Sequence, residues 1–167
     1  MTQTLTIAKR ELTSLFYSPI AYVVLGLFSL VATLLFLRVF WPGEEASLRQ
    51  PFESVVWLMV FLVPAISMRT ISEELRSGTI ELLMTTPIND TQVILGKWLG
   101  SMGFLALLFL PLFIHAVILE VVASPDWGPI ITGFFGLFLV GGFYLAVGIL
   151  ASTLNENQII GFLITVF

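Results

Sequence analysis

From Trp127 to Leu154 the chain runs without one charged side chain. A helix needs roughly 20 apolar residues to cross a hydrocarbon core about 30 Å thick, and this run exceeds that length. Three more uncharged runs follow the same rule. Ile20–Leu37 is closed by Arg38 and the Trp41-Pro42-Gly43 breaker, and Ser54–Met68 lies between Glu53 and Arg69 and borrows Pro51 and Phe52. Trp98–Leu119 contains one notable polar residue, His115. A last run, Gln158–Phe167, has about half the length of a span, so the chain is expected to be part of a longer protein. Only 11% of the 167 residues are charged and 57% are hydrophobic. Soluble domains carry about 25% charged residues, so lipid must solvate most of this surface.

The expected fold is therefore an all-α, polytopic transmembrane bundle forming one domain over 1–167. Spans are expected at 20–40, 52–69, 98–120 and 129–153, with 158–167 starting a fifth. Ahead of the first span, Leu5, Ala8, Leu12, Leu15 and Phe16 fall at helical spacing, while Lys9, Arg10 and Glu11 lie elsewhere on the wheel. Residues 1–18 thus read as an amphipathic helix in the headgroup plane, separated from the first span by Pro19. The apolar stretch after Lys9 and Arg10 is too long for a signal peptide and no small-residue cleavage site follows it.

Several chemistries are poorly supplied. The seven Lys and Arg are scattered, so there is no basic block for nucleic acid. Without cysteine there is no disulfide, thiolate metal site or cysteine nucleophile, and the single His115 leaves zinc clusters and histidine-based triads short of ligands. No cofactor, metal or catalytic group is expected in this chain. Gly96-Lys97-Trp98 lacks the upstream glycine of a phosphate-cradling loop, so Lys97 is expected to snorkel to the headgroups. His115 and Glu120 fall toward the outer end of the third span. There Glu120 reaches the interface and a neutral His115 can hydrogen-bond a neighbouring helix.

Charge sets the orientation. With the N-terminus inside, Lys9, Arg10, Arg69, Arg76 and Lys97 are cytoplasmic, leaving only Arg38 and Arg49 outside with Glu44, Glu45, Glu53, Glu120 and Asp126. An excess of Lys and Arg in short inner segments is the known determinant of topology. The protein is thus expected in a cell (inner) membrane, multi-pass, with a cytoplasmic N-terminus.

Residues 70–96 then form a cytoplasmic hairpin, the most charged part of the chain. Thr70 with Glu73 suits a capping box, opening a helix over Thr70–Met84. Ile71, Leu75 and Leu82 share one face of that helix, and Glu73, Ser77 and Glu81 another. Gly78 permits a bend, Pro87 stops the helix, and Asn89 or Asp90 caps the next one.

The order Met68-Arg69-Thr70-Ile71-Ser72-Glu73-Glu74, Ser77-Gly78-Thr79-Ile80-Glu81-Leu82-Leu83, Thr86-Pro87-Ile88 and Leu95-Gly96-Lys97 resembles the ABC-2 family of transporter permeases. Lys9-Arg10-Glu11-Leu12, Ser18-Pro19 and Phe61-Leu62-Val63-Pro64-Ala65-Ile66 look closest to its gliding-motility-associated branch. The resemblance implies a permease of about six spans, paired with a second permease copy and with cytoplasmic ATP-hydrolysing subunits. It also implies that Glu73, Glu74, Arg76, Gly78, Thr79 and Glu81, with Lys9, Arg10 and Glu11 of the interfacial helix, form the surface that couples to the ATPase. Close helix packing is expected at the four-residue pairs Gly96 and Gly100, Gly142 and Ala146, and Gly148 and Ser152. Two rival readings are a non-transporting anchor of an envelope complex and an intramembrane enzyme. The enzyme would need paired catalytic groups, and the membrane segments offer only His115 and Glu120.

Overall fold

The computed structural model describes residues 2–38, 47–79, 89–154 and 157–167. Among them every regular element is helical: α1 (Thr2–Tyr17), α2 (Pro19–Leu37), α3 (Arg49–Ser67), α4 (Ser72–Ser77), α5 (Asp90–Leu108), α6 (Leu110–Ala123), α7 (Trp127–Thr153) and α8 (Gln158–Val166). Four stretches are long and apolar enough to cross a membrane: Pro19–Leu37, Arg49–Ser77, Asp90–Ala123 and Trp127–Thr153.

Local chemistry sets the boundaries. Ser18 is extended (φ −89°, ψ 130°), as the residue before a proline prefers, and Pro19 opens α2 where no helical N–H is needed. The Asn89 N–H donates to Gln92 Oε1 at 3.3 Å where α5 begins. Asp126 Oδ1 accepts from the Gly128 N–H at 3.0 Å and Asn157 Oδ1 from the Ile159 N–H at 3.0 Å, capping α7 and α8. Pro111 follows a break at Phe109, so the third span is built of two pieces, α5 and α6.

The core is a seam of large side chains. Phe28 and Phe36 of α2, Val55, Met59 and Val63 of α3, Leu105 and Leu108 of α5, Leu112 and Leu119 of α6, and Leu137 and Leu145 of α7 are all buried. The opposite faces carry exposed Val23, Leu27, Leu30 and Leu34 on α2 and Ile131, Phe135, Leu139 and Phe143 on α7. In lipid those faces incur no hydrophobic penalty, so association must come from close packing. Small residues provide it: Gly133 faces the Phe52 ring, Gly141 faces Leu105 and Met59, and Gly148 is pressed against the Ser67 side chain.

Several polar side chains bridge one helix to another. Ser72 Oγ donates to the Ser152 carbonyl at 3.0 Å, tying α4 to the end of α7. His115 Nε2 lies 3.2 Å from Thr33 Oγ1 on α2, and the His115 ring stacks on Phe36 at 4.4 Å. Glu120 Oε2 accepts from Trp127 Nε1 at 2.7 Å.

The segment after α3 differs from expectation in two ways. Thr70 caps nothing: its carbonyl accepts a side-chain bond from Lys97, and the helix starts two residues later with Ile71 as a cap that makes no side-chain bond. The helix also ends early, at Gly78, whose φ of 68° lies in the left-handed region that favours glycine. The bend expected at Gly78 is a terminus, so a continuous Thr70–Met84 helix does not form. Glu81, Leu82 and Pro87 lie outside the described residues.

Candidate functional site

The charged residues gather where α1, α4 and the start of α5 meet. Two glycines make this possible. A Cβ added at Gly96 would stand 2.7 Å from the Ile7 Cβ and 3.0 Å from the Thr4 carbonyl oxygen. One at Gly100 would stand 2.7 Å from both the Ala8 carbonyl oxygen and the Glu11 Cβ. Without those Cβ atoms α1 lies directly against α5, the helix on which it packs most extensively. Gly96 and Gly100 therefore seat the N-terminal helix.

That seat brings Glu11 to Lys97, its neighbour on the same side of α5. Lys97 Nζ lies 3.2 Å from Glu11 Oε2, 3.0 Å from Glu74 Oε1 and 2.7 Å from the Thr70 carbonyl oxygen. Only 3% of the Lys97 side chain is exposed. The expectation that Lys97 snorkels to the headgroups is thus replaced. Its ammonium turns inward because three oxygens wait there, and each is worth more to a cation where water is thin. Burial pushes the Glu11 carboxyl above its ordinary value of 4.5; Lys97 opposes this by charge and hydrogen bond, and Glu74 adds to it.

Around this centre lies a half-exposed ring. Arg10 reaches Glu74 Oε1 at 3.6 Å. Arg69 donates to Ser18 Oγ at 2.8 Å and to Glu73 Oε2 at 3.1 Å, holding the end of α1 to α4. A cavity of about 210 Å³ lies among Arg10, Glu11, Ser14, Thr70, Glu74 and Lys97. Lys9, Arg76 and Gly78 are exposed outside its lining, while the exposed Glu73, Ser77 and Thr79 form part of that lining.

The nine residues expected to couple thus divide. Glu11 and Glu74 are internal partners of a buried lysine. They are thus turned away from the exposed surface on which the resemblance places them. Lys9, Arg10, Glu73, Arg76, Gly78 and Thr79 remain at the surface, and Glu81 lies outside the described residues. The small-residue pairs divide too. Gly142 sits under Trp98, whose Nε1 donates to the Gly142 carbonyl at 3.0 Å, whereas Ala146 is exposed. Gly148 faces α3, and Ser152 is buried with its carbonyl held by Ser72.

Lys97, Arg69 and Ser18 are the participants that sequence reasoning missed. For Lys97 a signal was present. It follows the first glycine of a Gly-xxx-Gly pair, on the side of the helix that another backbone must approach, and an acid-bearing amphipathic helix precedes it.

Long uncharged helices with exposed apolar faces, gathered at one end into a charged junction, define a multi-pass integral membrane protein. The profile of the family described as "ABC-2 family transporter protein" matches residues 5–161. The chain belongs to that family and is a permease of an ABC transporter, a transport component rather than a catalytic one. No curated protein matches it.

Proposed function

We propose that this permease uses ATP hydrolysed by a separate subunit, which docks on the exposed side of α4 and the adjoining Lys9–Arg10 stretch of α1. The carrying observation is the two-sidedness of α4. Ile71 and Ser72 are buried and Ser72 is bonded to α7, while Glu73 and Arg76 stand exposed beside the charged junction. A push on α4 therefore meets the spans through direct contacts. The N-terminus and this junction face the cytoplasm, in keeping with the distribution of Lys and Arg. The motif order favours the gliding-motility-associated branch. Apolar spans favour an amphiphilic or large substrate, and a pair of permease copies would enclose its path.

The docking surface is tested by reversing Lys9 and Arg76 together (Lys9→Glu with Arg76→Glu), both exposed and outside the Arg69–Glu73 pair. Single exposed pairs contribute only about 0–1 kcal/mol, whereas reversal adds repulsion across an interface. Abundance in the membrane should be unchanged, and co-purification of the ATPase or transport-coupled hydrolysis should fall severalfold. Wild-type binding and turnover in this variant would refute the docking surface. An ATPase that binds but never responds to any substrate would favour the anchor reading.

A further inference from the structure

Two carboxylates converge on one ammonium inside the junction, and the second cation, Arg10, stands at its rim. Lys97 Nζ serves both Glu11 Oε2 at 3.2 Å and Glu74 Oε1 at 3.0 Å. The Glu11 and Glu74 side chains are 15% and 18% exposed. The other charged groups near them are engaged or peripheral. Arg10 of α1 is 67% exposed and touches Glu74 only at 3.6 Å. Arg69 and Glu73, which also line the cavity, are bonded to each other at 3.1 Å. Lys9 and Arg76 are exposed and do not line it. The helices α2, α7 and α8 carry no charged residue. Among the described residues, the buried centre therefore holds two carboxylates and one ammonium, with the balancing cation, Arg10, out at the exposed rim.

A second observation points into the same space. Glu74 Oε2 and Thr70 Oγ1 are both shielded from solvent and have no hydrogen-bond partner within the protein. Thr70 is 4% exposed, and both residues line the cavity of about 210 Å³. A buried carboxylate oxygen without a partner is costly, and so is a buried hydroxyl. The electrostatic cost at the carboxylates falls if one of the pair, Glu11, is neutral, and Thr70 lines the same cavity.

We propose that the Lys97 junction is a proton-binding site, in which a proton held by Glu11, beside the Glu74 carboxylate, fastens α1 onto α5. The proton comes from water and forms an O–H on the Glu11 carboxyl; no other bond changes. It removes the repulsion between the two carboxylates and leaves Lys97 the Glu74 carboxylate.

The linkage has a definite sign. With α1 unseated, Glu11 is solvated and titrates at its ordinary value; seated, burial raises that value. Seating therefore takes up a proton between the two values. It is strongest below the ordinary glutamate range and weakens as pH rises through the raised one. Uptake of at most one proton limits the change to about tenfold in the seating equilibrium per pH unit.

The chain has no cysteine, so nitroxides at Thr13→Cys on α1 and Leu107→Cys on α5, both at exposed positions, report seating without background. Distance distributions are read by pulsed electron resonance on the full chain in lipid nanodiscs. A single short distance is expected at acid pH, with a longer population growing as pH rises above the ordinary glutamate range. Glu11→Gln, which mimics the neutral acid, should hold the short distance at every pH. Infrared titration of the unlabelled protein should show a carboxylic C=O band that persists above that range and is lost in Glu11→Gln. Distances independent of pH, or a pH response unchanged in Glu11→Gln, would overturn the proposal. So would the absence of the persistent band.

Discussion

Lys97 shows how far a side chain's role depends on partners remote in sequence. From its neighbours alone it is a lysine at a membrane boundary, where a long stem and a wet head are the usual arrangement. Its partners, Glu11 of α1 and the Thr70 carbonyl of the turn before α4, lie far along the chain, and no local pattern announces them. Replacing it by methionine keeps the volume and strands two carboxylates in a dry site. Breaking a buried ion pair from one side costs roughly 3–5 kcal/mol. Lys97→Met should therefore lower the thermal unfolding temperature in detergent markedly. Adding Glu11→Gln to it should restore part of the loss, because one stranded charge is then gone. If Lys97→Met unfolds at the wild-type temperature, the ammonium is not engaged as described. His115, by contrast, was legible: a lone imidazole among apolar residues needs a donor or acceptor on the next helix, and Thr33 supplies it.

At the scale of an element, α4 divides into what its sequence announced and what it concealed. The glycine after Ser77 marked a break, and the left-handed φ of 68° there is why glycine serves. The start was concealed. Thr70 and Glu73 have the spacing of a capping box, yet Glu73 is held by Arg69 and the Thr70 carbonyl by Lys97, so tertiary charge displaced a local cap. Gly78→Ala must place a Cβ in left-handed backbone, at a cost of about 1–2 kcal/mol. Gly78→Pro cannot adopt that φ at all, since its ring fixes φ near −65°. Limited proteolysis next to Ser77 should therefore accelerate modestly in Gly78→Ala and strongly in Gly78→Pro. Equal cleavage in both variants would mean that the turn has no bearing on the order of α4. Glu74→Lys should also destabilise, because it would set a second ammonium beside Lys97.

The architecture of the whole molecule was the easiest part to read. Lipid tolerates no unpaired backbone and few charges, so the spans appear as uncharged runs and their ends as the nearest Arg, Lys or Pro. Pairing between helices was less visible, because in lipid it rests on which small residues face which backbone, and spacing alone does not separate Gly142, which packs, from Ala146, which does not. The proposed topology puts Ser47 and Ser77 on opposite sides of the membrane. A cysteine at position 47 should react with an impermeant maleimide in intact cells, and one at position 77 only after lysis; reaction of both from outside would invert or break the scheme. One consequence at this scale belongs to the seat that Gly96 and Gly100 make for α1. Moved along α5 by one residue, α1 would meet side chains where it now meets bare backbone, and with the Ala8 carbonyl 2.7 Å from a would-be Cβ there is no slack to absorb the misfit. The N-terminal helix has a detent instead of a track: it clicks home or lifts clear, and any signal passing through it arrives as a step, not a slope.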